Sequence, residues 1–351
     1  MGRVLFVNLT RLCNVDCPRC YLTPENRKSK LMLRKGLLTE ILSSDFFSEP
    51  APDEQPPEVI FQGGEPTIVG LKALLGYIDE VQRVCPSAQM TMVSNLMRLP
   101  EWTADVAREY FQNRIETTWA AGMKKSLTGH EDVFQDRFAS SLKGAIDQGI
   151  TCPINVELNR ETLQAGPGVI LDLHQRTGAT LFEFDFSVRF NDFRLQPQFA
   201  AGNYPILPAS IRYDEFRQFI LGLRREITKQ GLQGKVQTNL LRDISKRKID
   251  PAFNTCREAD FLTVNPDSTI TTNPLFSDIS ETYFGSLDDR PLDELIKHPN
   301  RQARIKYEQS RREPCLDCEF FNVCEGGPSH MPVFDGSGEC TGLKGLLKRL
   351  Q

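Results

Sequence analysis

Ten cysteines stand in this 351-residue chain, and seven of them fall into two tight groups. The first is Cys13-Asn14-Val15-Asp16-Cys17-Pro18-Arg19-Cys20-Tyr21. Three thiolates spaced x3 and x2 in one short loop can wrap one face of a cubane [4Fe–4S] cluster and leave its fourth iron open. A structural metal site wants four protein ligands, so an open position is built to take an exogenous one. Spacing alone also admits zinc, with a fourth ligand elsewhere. The second group is Cys315-x2-Cys318-x5-Cys324, then Cys340 after fifteen residues. Four thiolates can close a metal site, and zinc and [4Fe–4S] compete evenly for them. Cys85, Cys152 and Cys256 are isolated, the pattern of buried apolar thiols.

A companion motif, Phe61-Gln62-Gly63-Gly64-Glu65-Pro66, follows the first group. Its glycines permit close backbone approach. In this order, the cysteine loop and Gly-Gly-Glu-Pro resemble the radical S-adenosylmethionine (SAM) enzymes. The resemblance implies that SAM's amino and carboxylate groups bind the open iron held by Cys13, Cys17 and Cys20. An electron from the cluster then releases a 5′-deoxyadenosyl radical, chemistry that the cofactor carries and the protein positions. It further implies that Gly63 and Gly64 meet the methionine ammonium, with Glu65 as an acceptor. Ser94 and Asn95 fall where the family contacts methionine or ribose. Arg19 stands in place of the usual aromatic against the adenine; its guanidinium can stack on a ring, and Tyr21 can share that work. Thr118-Trp119-Ala120-Ala121-Gly122 replaces the Ser-Leu-Asp-Gly of many relatives, so the ribose contact of that Asp is missing. Trp119 is expected in the core. Asn155 and Glu157 are candidates for adenine or ribose contacts. Of Glu183 and Asp185, either one faces the interior or both make ordinary structural pairs.

The second group resembles the end of a SPASM domain, a C-terminal extension that typically carries two auxiliary [4Fe–4S] clusters. Against that pattern, Cys256 stands as the first Cys and Ser268 takes the Gly place. Asn273 and Pro328 replace two further cysteines. In the family the replaced positions serve the inner cluster. The resemblance therefore implies one auxiliary cluster, on Cys315, Cys318, Cys324 and Cys340, and a lost inner one. Cys256 is then a leftover thiol or a catalytic one. Cys256 and Asp185 are the candidate catalytic side chains, with ordinary structural roles as the plainer reading of each.

These residues need a frame to position them. Apolar runs predict strands at Val4–Leu9, Glu58–Phe61, Gln89–Ser94, Ile115–Trp119, Ile154–Leu158 and Thr180–Ser187. Amphipathic periodicity predicts helices at Gly36–Leu42, Leu71–Val84, Thr103–Gln112, Phe134–Gln148, Gly168–Arg176 and Tyr213–Gln230. Alternating strands and helices argue for parallel βαβ units in an α/β fold, a partial (β/α)6 TIM-type barrel with function at the C-terminal strand ends. A surface loop is expected over residues 195–208. A boundary near 230 separates a core domain, 1–230, from a small cysteine-rich α+β domain, 231–351. That second domain opens with strands at Phe261–Val264 and Thr269–Thr272.

Composition is ordinary for a globular chain, with 40% hydrophobic and 25% charged residues. A net charge of −4 argues against general nucleic-acid binding. No apolar run approaches a membrane span, and the N-terminus lacks a secretory signal, so a cytoplasmic protein is expected. In a reducing compartment, clustered cysteines point to metal rather than disulfides.

The resemblance implies oxidative modification of a peptide or protein: a crosslink, dehydrogenation or epimerisation. The alternatives are a small-molecule dehydrogenase or epimerase and, in another class, a non-catalytic iron–sulfur or zinc-binding interaction protein. The implied partners are the peptide or small-molecule substrate and an electron donor such as flavodoxin or ferredoxin. The chain begins within a dozen residues of Cys13, so the expectation is either a recognition element in a separate protein or a small substrate.

Overall fold

The computed structural model describes residues 2–47, 55–188, 209–241 and 258–350. The loop expected over 195–208 and Cys256 lie outside the described residues. One sheet has the order β12-β11-β10-β1-β3-β4 and another β5-β7-β8-β9. Their strands are β1 (Val4–Thr10), β3 (Glu58–Gly63), β4 (Gln89–Met92), β5 (Thr117–Trp119), β7 (Ile154–Leu158), β8 (Leu181–Phe186), β9 (Gln237–Thr238), β10 (Phe261–Val264), β11 (Thr269–Thr271) and β12 (Gly285–Ser286). A two-residue antiparallel ribbon joins β2 (Val15–Asp16) to β6 (Lys125–Ser126).

The pairings from β10 through β1 and β3 to β4, and from β5 through β7 and β8 to β9, are parallel. A parallel bridge between Val93 and Glu116 carries the pattern from β4 to β5. Parallel strands are covered on both faces and so read as apolar runs. Six of the seven residues of β1 are buried.

Helices fill the crossovers: α1 (Leu37–Leu42), α2 (Leu71–Val84), α3 (Thr103–Tyr110), α4 (Glu131–Asp147), α5 (Arg160–Ala165), α6 (Gly168–Thr177) and α7 (Tyr213–Lys229). On α2, Leu74, Tyr77, Ile78 and Val81 recur at one-face spacing, and all four are buried. Helix α4 begins three residues before its expected start, with Glu131 and Asp132 in its first turn, where carboxylates suit the helix dipole. Helix α6 stops at the left-handed Gly178, whose N–H donates to His174 O at 2.8 Å. The C-terminal segment adds α8 (Leu292–Leu295), α9 (Pro299–Arg311), α10 (Phe321–Cys324) and α11 (Lys344–Leu350).

The expected boundary near 230 does not interrupt the sheets. Beyond it, β9 extends the β8 edge and β10 lies directly beside β1. Side chains stitch the same seam: Asn8 Nδ2 donates to Asn265 Oδ1 and Ser277 Oγ, both at 2.8 Å, and Arg11 pairs with Asp267 at 2.7 Å. Among the described residues, no helix is long and apolar enough to cross a membrane.

Candidate active site

A cavity of about 320 Å³ opens at the C-terminal ends of the parallel strands. Cys13, Cys17, Cys20 and Tyr21 enter it from the loop after β1, and Gly63 and Gly64 from the end of β3. Ser94 and Asn95 follow β4; Asn155 and Glu157 lie on β7, and Asp185 on β8. The structure thus gathers residues from five strands at one end, where parallel α/β folds place their sites.

The cysteine loop is held from several sides. Cys13 N–H donates to Arg27 O at 3.1 Å, and Asp16 pairs with Arg27 at 2.6 Å. Thr23 N–H and Asn26 Nδ2 both donate to the carboxylate of Asp278, in the C-terminal segment. The glycines let this loop come close. Gly64 N–H donates to Thr10 O at 2.8 Å and Glu65 N–H to Leu12 O at 2.9 Å. A side chain on Gly64 would collide with the carbonyls of Arg11 and Leu12, and one on Gly63 with that of Thr10.

Glu65 is set back from the cavity. It is 1% exposed and does not line the cavity. Its Oε1 accepts from Thr67 N at 3.1 Å, Thr67 Oγ1 at 2.7 Å and Ser94 Oγ at 2.9 Å, and its Oε2 accepts from Asn95 N at 2.8 Å. Most of the carboxylate's acceptor capacity is spent on the protein. In this arrangement Glu65 fastens the loop after β4 to the loop after β3, behind the cavity wall. Asn95 extends the link, donating to Asn14 Oδ1 at 2.8 Å and Cys13 Sγ at 3.7 Å. Tyr21 OH donates to Gly63 O at 3.0 Å, and burial pushes its pKa up.

Arg19 is engaged in a bidentate pair with Glu161, at 2.9 and 3.2 Å. Trp119 is buried, its Nε1 donating to Gln135 at 2.8 Å, as expected of a core residue. Of the two acids on β8, Asp185 lines the cavity, whereas Glu183 reaches Arg114 at 3.5 Å. Burial, with Glu157 beside it, pushes Asp185 up to about 6. Burial also raises Glu157, against the pull of Lys124 and Arg19.

Lys124 escaped the sequence reading. It is 7% exposed and lines the cavity, and its ammonium donates to Thr118 O and Oγ1. The Thr118 to Gly122 stretch drew attention only for a missing Asp; nothing in it marked a cavity cation two residues on.

Residues bordering Asn273 and Pro328 also reach the cavity. Asn273 caps a short turn, accepting from Leu275 N at 3.0 Å, and Pro274, Leu275 and His330 join the lining. Behind His330 lies a buried ion pair, Arg304 to Glu258 at 2.8 Å, each side chain 1% exposed. Ser329 Oγ donates to the same Glu258 oxygen at 2.7 Å. His330 Nδ1 has no hydrogen-bond partner among the described residues; burial and the nearby arginines push this imidazole down to about 3.

The donor set suits an iron–sulfur cluster and a polar ligand beside it. Cys13, Cys17 and Cys20 line one cavity. Burial raises Cys13 to about 11, with Glu65 adding to the effect, and raises Cys17 further. Bound iron would reverse this by stabilising the thiolates. Gln62 Nε2 and Asn155 Oδ1 are buried cavity-lining atoms without partners among the described residues, the condition that a bound polar molecule relieves. In the tail, Cys315, Cys318 and Cys340 all act on the charge of Cys324, which burial raises to about 11. A side chain on Gly342 would press on Cys324 Sγ at 2.5 Å and meet Cys340 Sγ at 3.9 Å, so both sulfurs face one space. Among the described residues, no group of three or more His, Cys, Asp or Glu side chains is set to hold a single metal ion.

No family model matches the chain, and no curated protein matches it. Solved structures do. anSMEcpe with bound AdoMet superposes with a TM-score of 0.73 at 16% identity, covering 100% of this chain and 92% of that one. The same protein with AdoMet and the Cp18Cys peptide gives 0.71 at 16%, covering 99% and 95%. SuiB of Streptococcus suis, bound to its precursor peptide SuiA, gives 0.59 at 15%, covering 93% and 72%. At these identities the likeness is one of fold.

Proposed function

We propose that this chain is a radical SAM enzyme that oxidatively modifies a peptide or protein, through a crosslink, a dehydrogenation or an epimerisation. The observation that carries this reading is the convergence of Cys13, Cys17 and Cys20 with Gly63 and Gly64 in one cavity. The fold of anSMEcpe with AdoMet supports it. The peptide-bound forms of anSMEcpe and SuiB support the substrate class. The strand run fits a partial (β/α)6 barrel, residues 1–230, followed by a SPASM-like segment, 231–351. Clustered cysteines of this kind suit a reducing cytoplasm.

Cys13, Cys17 and Cys20 would hold a [4Fe–4S] cluster and leave one iron to SAM. When bound, the reduced cluster and SAM supply a 5′-deoxyadenosyl radical that takes a hydrogen atom from an unactivated carbon. Gly63 and Gly64 bring the strand end close to the cysteine loop. Glu65 fixes Ser94 and Asn95 beside that loop, and Tyr21 braces Gly63. Lys124 supplies a buried positive charge, and Asn155 and Gln62 offer polar atoms, unpaired among the described residues, to the cofactor's nucleoside or to substrate. Asp185, whose carboxyl burial raises to about 6, is suited as a carboxylate to accept a proton from substrate. Cys315, Cys318, Cys324 and Cys340 would hold one auxiliary [4Fe–4S] cluster. The Glu258–Arg304 pair and His330 stand around the lost inner-cluster positions.

The test is anaerobic reconstitution with dithionite and SAM, followed by quantitation of 5′-deoxyadenosine. The expected result is formation well above a Cys13→Ala/Cys17→Ala/Cys20→Ala control. Equal traces from both proteins would instead favour a binding protein without catalysis.

A further inference from the structure

Arg311, at the C-terminal end of α9, is buried, and its guanidinium spans the loop between Cys324 and Cys340. Nε donates to Met331 O at 2.5 Å, Nη1 to Gly327 O at 3.4 Å and Nη2 to Thr341 Oγ1 at 3.0 Å. Thr341 Oγ1 passes the link on, donating to Gly326 O at 2.9 Å. A methyl group on Gly326 would stand 3.5 Å from Arg311 Nη1 and 3.8 Å from Cys315 Sγ, so cation and sulfur border one small space. Met331 follows His330, so the same guanidinium also fixes the segment that closes the active-site cavity.

Holding a loop needs only donors. A guanidinium adds a permanent charge, which a buried setting screens weakly. The reduction potential of an iron–sulfur cluster depends on nearby charge, on hydrogen bonding and on access to water. A cation beside the ligating sulfurs favours the state with one more electron.

We propose that Arg311 is a positioning residue that also tunes the auxiliary cluster, raising its reduction potential so that it serves as an electron acceptor. This rests on the reading of Cys315, Cys318, Cys324 and Cys340 as a [4Fe–4S] site.

The test uses the full chain with Cys13, Cys17 and Cys20 changed to Ala, so that only the auxiliary cluster remains. This parent, its Arg311→Lys form and its Arg311→Gln form are reconstituted anaerobically. Their iron is counted, and each is titrated with dithionite and mediator dyes while the reduced cluster is followed by electron paramagnetic resonance. The expected result is about four irons per chain in all three, a lower potential in Arg311→Gln, and a potential near the parent's in Arg311→Lys. An unchanged or higher potential in Arg311→Gln overturns the proposal; a rise is what a loosened, wetter loop produces. A matching fall in Arg311→Lys overturns it as well, because that variant keeps the charge. Loss of iron from Arg311→Gln, alone or with Arg311→Lys, reduces Arg311 to a loop holder. A parent without iron defeats the auxiliary-cluster reading itself, a result separable from the others.

Discussion

Ser94 Oγ donates to Glu65 Oε1 at 2.9 Å, joining two strand ends 29 positions apart in the sequence. The neighbouring Asn95 N–H binds the other carboxylate oxygen at 2.8 Å. One buried acid thus fastens two loops that wall the cavity, and its worth lies in accepting from both.

Glu65→Gln puts a donor where an acceptor is needed. Leaving buried donors unpaired costs about 1–3 kcal/mol, so the variant is expected to lose that much stability. It is also expected to bind SAM about tenfold more weakly, since about 1.4 kcal/mol is one decade of affinity. Thermal unfolding and equilibrium dialysis with labelled SAM measure the two effects. A variant as stable and as tight as its parent would show that the latch does not matter.

Gly64→Ala places a methyl group against the carbonyls of Arg11 and Leu12. Forcing these backbones apart is expected to cost about 1–3 kcal/mol and to displace Cys13, whose Sγ donates to Gly64 O at 3.3 Å. Lower iron incorporation at the first site and loss of 5′-deoxyadenosine are the expected readouts. Normal iron with normal turnover would contradict this packing argument.

The reconstituted protein is expected to carry about eight irons and about eight sulfides, and the Cys13, Cys17 and Cys20 triple variant about four of each, as two cubanes and one require. Iron, zinc and sulfide assays on the same samples check this. Zinc retained in the tail would remove the auxiliary cluster from the proposal.

Asp185 gives a pH dependence with a definite sign. Burial raises its carboxyl from 3.8 to about 6, so the folded protein holds this proton more tightly than the unfolded chain does. The group therefore costs nothing below the unfolded value; its penalty grows between about pH 4 and 6 and is complete above that. Asp185→Asn is expected to be more stable than the parent at pH 7, by about 1–3 kcal/mol, and equal to it near pH 3.5. Denaturant unfolding across that range measures the difference. In turnover with substrate, loss of the proton acceptor is expected to slow product formation about 100-fold or more while 5′-deoxyadenosine still forms. Unchanged product formation would clear Asp185 of that role.

The parallel strands were legible because burial on both faces leaves apolar runs such as Val4 to Leu9. Helix α2 was legible to the residue because its apolar spacing runs unbroken from Gly70 to Cys85. The three thiolates and two glycines announced themselves by type and spacing. Glu65 was legible as part of a motif; its hydrogen bonds to Ser94 and Asn95 were not, because they join residues 29 and 30 positions apart. His330 and Lys124 were missed for another reason: each enters the cavity from a loop whose local sequence carries no periodic signal. The parallel pairing of β10 with β1 is a contact between distant residues, which local propensity cannot encode.

That last pairing bears on how the protein is made. Strand β1 feeds the cysteine loop, yet its Val4 to Val7 stretch pairs on one flank with Phe261 to Val264. Until those late residues leave the ribosome, β1 presents an open, apolar flank, and the loop lacks its braces from Asp267 and Asp278. An open edge invites pairing with other chains, and contacts so far apart in sequence form slowly. Iron delivered early to the proposed site would meet a half-built cradle, so cluster loading is expected to follow completion of the polypeptide.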